Sequence, residues 1–517
     1  MFNLLLKHPI LFVLGTCLLF FITAGMFFYN FNINNYQINY IAISLFIILL
    51  QKKYIDRFFI FLISIIFLVL NAYFSVSNQF LLIIQILQII YTAFNDNKNV
   101  HHFTFYAIFI SFLVHLFYIV HTDIDFRQHD LSGTLYYMKK IAENGINWKN
   151  FDPWYMYYFF HQPLHFILME YFLRFSTLLW KSQTISIESL QYFSLFYVTI
   201  TSVLIAKILY LLKFRGVTYK AIFILLIFNP TFILFTGYIS DDVPVLFWSV
   251  FTTYFLIKWY YTNKLIYIIL VALGLGLGTL TKLSILLLAP AISWVFLYKL
   301  TTEKNKELVL RGIALFVIIA VPVALLWIMR NHILFDMQFY NVPDTSPMGQ
   351  NFKYLSLTDR IGDFSKLFSP FMNAPYDVDA NMILAIIKTE LFGEWNFSIL
   401  NKSIYIPSFI LYILSLSLKV CAFIGMVYIF MRKNIACKAL WIFFAITYLC
   451  SWIYAIKYAL DYPYICSSDY RLFILLLLPE ALFIGKLFAS NKPKQNILFS
   501  ISIIYAILSV CIYIFSF

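Results

Sequence analysis

Apolar runs of about 15–27 residues recur along this sequence, and each is long enough to cross a hydrocarbon layer roughly 30 Å thick as a helix. That recurrence confines the chain to one class, an all-α polytopic transmembrane helical bundle. The runs cover residues 9–29, 36–50, 58–74, 79–93, 103–120, 189–212, 221–238, 243–257, 265–280, 283–299, 312–329, 404–430, 439–456, 471–489 and 496–516. They predict about fifteen helices. The stretch 265–300 reads as two, because it is long for one crossing and is interrupted by Thr279-Leu280-Thr281-Lys282. The first run, from Leu11 to Phe28, lacks a small-residue cleavage site and reads as a retained helix. Composition agrees. The chain is 62% hydrophobic and 12% charged, where soluble domains run at about 45–50% and about 25%. One soluble core could not bury so much apolar surface.

A net charge of +13 would suggest nucleic acid in a soluble protein. Here the basic residues sit in short loops between apolar runs, so they read as topology signals and no nucleic-acid partner is expected. With Lys7 in the cytoplasm, alternation puts Lys52, Lys53, Arg57, Lys213, Arg215, Lys220, Lys304, Lys306, Arg311, Arg432 and Lys433 inside. This is the asymmetry of the positive-inside rule. Lys282 and Lys457 are the exceptions among the short outer loops. The six cysteines show no metal spacing, and most lie in apolar runs, so no obligatory disulfide is expected.

The same orientation places two long segments outside, 121–188 and 330–403. Long loops on one face are where a membrane enzyme keeps its chemistry. Each contains an apolar stretch, 163–180 and 382–397, that reads as a juxtamembrane helix. The chain divides into accessory helices (1–100), a core with the first loop (101–330), the second loop (331–403) and C-terminal helices (404–517).

The first loop opens with His121, Asp123, Asp125, Arg127, His129 and Asp130. Ionisable groups crowded at the end of a membrane helix suggest a role. Asp123 and Asp125 have the spacing of a metal-binding pair, but a solvated loop start explains them equally well, and no residue is assigned to a metal. Asp130 is the preferred general base, since a carboxylate can take a proton from an attacking hydroxyl. It also precedes a helical pattern over 131–143 and reads as its N-cap. Further on, His161 and His165 flank a Pro-Leu helix start, with only His165 inside the helix, which argues against a shared zinc. Asp241 and Asp242 occupy a short outer turn. Lys282 and Arg471 are fixed cations suited to a lipid phosphate, although snorkelling or an ion pair between Arg471 and Asp469 would also explain them.

This pattern resembles the GT-C superfamily of membrane glycosyltransferases, nearest the branch of protein O-mannosyltransferases and lipid A aminoarabinose transferases. The resemblance rests on the acidic residue delivered to the first outer loop and on His161-Gln162-Pro163-Leu164-His165. It rests also on the glycine-rich helix running Leu273-Gly274-Leu275-Gly276-Leu277-Gly278 into Thr279-Leu280-Thr281-Lys282. Two further stretches are similar to one bacterial subgroup, Lys388-Thr389-Glu390-Leu391-Phe392-Gly393-Glu394-Trp395 and Tyr462 to Arg471. It covers roughly residues 103–489. Relatives that modify lipid A often carry Glu-Lys-Pro-Pro-Leu where this chain has His161-Gln162-Pro163-Leu164, and the four leading helices are additional.

The resemblance implies a GT-C bundle that uses a polyprenyl-phosphate sugar donor and transfers on the outer face of the bacterial inner or plasma membrane, or of the ER membrane in a eukaryote. The family's acidic base maps best to Asp130, with Asp123 and Asp125 as rivals. The expected reaction is inverting. Substrate-binding positions are His129, His161, His165, Asp241, Asp242, Lys282, Glu394, Asp469 and Arg471. The second loop, with Asp359, Arg360 and Glu394, is expected to shape the acceptor pocket. No cofactor is required, a divalent metal stays undecided, and the acceptor is a protein, a lipid or a polysaccharide. Two other classes remain. A lipid-linked glycan polymerase or ligase would carry more arginine outside. A secondary transporter would place its charges near the bilayer midplane.

Overall fold

A computed structural model of the protein describes residues 82–87, 89–90, 100–339, 352–372, 379–399, 401–432 and 437–516. The leading helices expected before residue 93 fall almost wholly outside the described residues. From residue 100 onward each apolar run is helical, and no strand occurs among the described residues. The helices of eight or more residues are α1 (Val100–Val120), α2 (Leu131–Asn144), α3 (Leu164–Trp180), α4 (Leu190–Leu211), α5 (Gly216–Ile227), α6 (Pro230–Gly237), α7 (Asp242–Thr262) and α8 (Leu265–Thr279). They continue as α9 (Ala289–Thr302), α10 (Lys306–Phe335), α11 (Met382–Phe392), α12 (Tyr405–Met431), α13 (Lys438–Asp461), α14 (Leu477–Phe488) and α15 (Lys492–Ile514).

Eight helical stretches among the described residues are long and apolar enough to cross a membrane. The protein is therefore a polytopic helical membrane bundle. Boundaries depart from the apolar runs where local chemistry overrides hydropathy. The run 221–238 is split because the Asn229 side chain accepts from Thr231 N at 2.9 Å and Pro230 opens a fresh helix. The run 312–329 grows into the thirty-residue α10, whose first turns carry the exposed Arg311–Glu307 pair at 2.5 Å. Hydropathy registers only the apolar centre of such a helix. The stretch 382–397 ends early, at Gly393, whose φ of +60° suits glycine. Instead of lying on the bilayer surface, α11 is buried in the bundle against α6, α12 and the segment Tyr470–Leu476.

The glycines of α8 are there for close packing. A Cβ on Gly274 would sit 2.5 Å from Thr252 Oγ1, and one on Gly278 would sit 2.9 Å from Trp248 Cβ, both on α7. A Cβ on Gly276 would meet Val323 of α10 at 3.0 Å. Small residues let helix backbones approach inside a membrane bundle, and α8 is wedged between α7 and α10. The turn after α8, which carries Lys282, is thereby fixed in place.

A second apolar cluster supports the first loop. Tyr137 stacks on Phe166 with ring centroids 4.3 Å apart, and Phe151, Phe159, Met169 and Trp327 pack around them. This binds α2 and α3 to α10 at the end of the bundle where the charged residues gather.

Candidate functional site

Six links converge at that end: the segment 121–130 after α1, the segment 157–161 before α3, the turn between α6 and α7, the turn after α8, the segment 393–395 after α11, and the segment between α13 and α14. They bring most of the expected side chains together. Asp130 adopts left-handed backbone, with φ 56° and ψ 26°, which Asp tolerates better than most residues. Its expected N-cap role fails, because no side-chain cap bond forms to α2. The carboxylate turns the other way. Asp130 Oδ1 accepts the Tyr158 hydroxyl at 3.1 Å, and Oδ2 lies 3.3 Å from Arg471 Nη1. The Asp130 side chain is 46% exposed, whereas Arg471 is 10% exposed. A carboxylate open to solvent thus rests on a buried guanidinium.

Tyr158 reaches Asp130 because Gly133 leaves room. A Cβ on Gly133 would fall 1.9 Å from the Tyr158 ring. The aromatic run 157–160 reads from sequence as a membrane-interface belt, and nothing in it marks Tyr158 as a partner of Asp130. Gln128 is a second residue the sequence did not mark. It donates to Gly237 O and accepts from Ile239 N at 3.3 Å, pinning the first loop to the α6–α7 turn.

Behind Asp130 lies a buried ionic group. Arg471 Nη1 also reaches Asp242 Oδ2 at 3.1 Å, and its Nε is 3.3 Å from Asp469 Oδ2. Lys282 pairs with Asp241 Oδ1 at 3.0 Å and with Asp242. His161 Nδ1 stands 3.3 Å from Asp241 Oδ2. His129 Nε2 stands 3.3 Å from Asp469 Oδ2, with its ring 4.7 Å from that of Trp395. Asp469 Oδ1 accepts from Arg471 N at 3.1 Å, which orients both residues. The expected Asp469–Arg471 pair therefore exists, but it is one edge of a larger network.

Some expected residues stand apart. Asp123 and Asp125 are exposed, and neither joins this network among the described residues. His165 is buried and its Nε2 meets Ile239 O at 3.0 Å, a structural contact with the α6–α7 turn. Asp359 forms a capping box with Ser356 inside the second loop, while buried Arg360 reaches Ser468 Oγ at 3.4 Å and ties that loop to the segment that carries Asp469.

Neighbouring charges set the protonation of the group. Crowding by protein atoms works against ionising Asp130, but Arg471, His161, Tyr158 and Lys282 outweigh it and hold its pKa below the usual carboxylate value. Burial likewise opposes the charges on Asp241 and Lys282, yet their mutual attraction wins, lowering the acid and raising the base. Burial lowers His129, and Arg471 and Lys282 lower it further. Burial raises Glu394 to about 7, helped by the Asp469 charge and opposed by Arg471. Asp469 rises to about 6 through burial, with Arg471 in opposition. The result is an ionised, accessible carboxylate backed by fixed cations. Such an arrangement can accept a proton at its mouth and stabilise an anion beside it.

Among the described residues some charged groups sit inside helices, against the expectation from sequence, as buried Lys388 of α11 does in its pair with Asp379. Lys419, inside α12, bridges Glu390 Oε2 at 2.6 Å and Glu480 Oε2 at 2.5 Å. Its signal was a lone charge within an apolar run.

Residues 164–336 match the family model described as dolichyl-phosphate-mannose-protein mannosyltransferase. The matched part runs from α3 to the end of α10 and holds His165, Asp241, Asp242 and Lys282, while Asp130, Glu394, Asp469 and Arg471 lie outside it. No curated protein matches the sequence significantly.

Proposed function

We propose that this chain is a membrane glycosyltransferase of the GT-C type, a class its match to the mannosyltransferase family supports, and that it moves a sugar from a polyprenyl-phosphate donor to an acceptor hydroxyl. The family description favours mannose as the sugar and a protein as the acceptor. The distribution of basic residues in the loops favours the non-cytoplasmic face.

Asp130 takes the proton of the acceptor hydroxyl as its oxygen bonds to the anomeric carbon. The bond from that carbon to the phosphate oxygen breaks on the opposite face, which inverts the centre. Polyprenyl phosphate leaves with the electron pair and needs no general acid. Arg471 and Lys282 stabilise the charge that develops on it, and His161 lies at the same edge. The single observation that carries this reading is the exposed Asp130 carboxylate held 3.3 Å from the buried Arg471. A second reading, transport, draws on the Lys419 group buried between Glu390 and Glu480.

The test uses the full chain in lipid nanodiscs with polyprenyl-phosphate mannose and a hydroxyl-bearing peptide, following release of polyprenyl phosphate. Wild type is expected to turn over, and Asp130→Asn to lose about 10²–10⁴-fold in kcat while keeping its melting temperature. Full activity in the variant would remove Asp130 as base. Absence of release from any polyprenyl-phosphate sugar would sink the transferase reading.

A further inference from the structure

His129, Glu394 and Asp469 come from three separate segments and meet next to Asp130. One ligand atom from each lies within 4.8 Å of the other two. His129 Nε2, Glu394 Oε1 and Asp469 Oδ2 are all buried atoms without a hydrogen-bond partner among the described residues. His129 is 8% exposed and Asp469 3%. A buried polar atom left unpaired costs about 1–3 kcal/mol, so three on side chains gathered this closely call for a ligand. His129 and Asp469 do face each other at 3.3 Å, but without hydrogen-bond alignment. That separation is close to the tetrahedral edge of about 3.3–3.5 Å around a cation with bonds of about 2.0–2.1 Å.

Charge points the same way. Among the described residues, the carboxyl groups of Asp130, Asp241, Asp242, Asp469 and Glu394 stand around two fixed cations, Lys282 and Arg471. Arg471 Nε also faces Asp469 Oδ2 and competes for it, but Arg471 is anchored elsewhere through Nη1 to Asp130 and Asp242.

We propose that His129 Nε2, Glu394 Oε1 and Asp469 Oδ2 bind one divalent transition-metal cation. One imidazole nitrogen with two carboxylate oxygens suits Zn²⁺ or Mn²⁺, whereas Ca²⁺ takes six to eight oxygens. The Trp395 and Tyr238 rings, 4.7 and 5.4 Å from the imidazole, hold it in place. Three protein ligands leave room for further ligands, and the cation would offset carboxylate charge before an anionic donor arrives. That role rests on the transferase reading; the binding does not.

The experiment is a Mn²⁺ titration of chelator-stripped full-length protein in nanodiscs, read by loss of the free-Mn²⁺ electron paramagnetic resonance signal, with Zn²⁺ as competitor. One equivalent should bind and be displaced by Zn²⁺. Glu394→Gln and His129→Ala should each weaken binding at least about tenfold, and Asp461→Asn, an exposed acid outside the group, should not. Melting temperatures check that each variant is folded, and the wild-type titration stands on its own if one is not. No Mn²⁺ or Zn²⁺ bound by folded wild type, or unchanged binding in both ligand variants, overturns the proposal. Sugar transfer by metal-free protein that binds no added cation also overturns it and leaves the transferase reading intact. Binding without turnover from any donor supports the site and counts against that reading instead.

Discussion

Asp242 is fully buried, and Lys282 and Arg471 both reach its carboxylate. Removing one partner of a buried ion pair leaves the other uncompensated, at a cost of about 3–5 kcal/mol. Lys282→Met is therefore expected to lower stability by that order, read as a fall in melting temperature in detergent or nanodiscs. A variant as stable as wild type would show Lys282 to be a snorkelling anchor. From sequence, that bland assignment and the phosphate-facing one were evenly matched. The residue types at this site were legible, because ionisable groups crowd the loop after α1 and basic residues such as Lys282 stand out in otherwise apolar turns. Their pairings were not. Nothing in Gln128-His129-Asp130 shows that Asp130 takes left-handed backbone and turns from its helix toward Tyr158 and Arg471.

Helix α8 couples packing to the site. Gly278 O accepts the backbone N–H of Lys282 at 2.9 Å and of Thr281 at 3.0 Å, while its Cα faces Trp248. Gly278→Ala should cost about 1–3 kcal/mol through overpacking and displace Lys282, so that turnover falls along with thermal stability. Wild-type turnover from that variant would mean that the register of α8 does not set the site. At this scale the sequence was most informative. Apolar length located the spans, and the glycine spacing of α8 marked a helix that others approach closely. Errors came where capping and left-handed residues decide the ends, as at Asn229-Pro230 and Gly393. The depth of α11 also escaped, since an apolar helix of eleven residues looks the same on a bilayer surface as inside a bundle.

Across the whole molecule, the Lys419 group joins elements distant in sequence. Asn229 Nδ2 donates to Glu390 Oε1 at 2.9 Å and to the Tyr505 hydroxyl at 3.2 Å, tying the α5–α6 junction to α11 and α15. Lys419 adds α12 and, through Glu480, α14. Lys419→Met should destabilise the bundle by about 3–5 kcal/mol, as loss of one buried partner does, while turnover per folded molecule stays near wild type. Normal stability with lost turnover would instead give this group a part in function.

Hydropathy and loop charge are properties of consecutive residues, so the sequence alone determined the all-α membrane class, the helices that follow residue 100 and the end where ionisable groups gather. The site was decided by tertiary structure. Asp130, Asp242, Lys282, Glu394, Asp469 and Arg471 are brought together only when helices far apart in the chain pack. Once they are buried, each charge must be met by another, and those partners, unlike the spans, leave no periodic trace in the sequence.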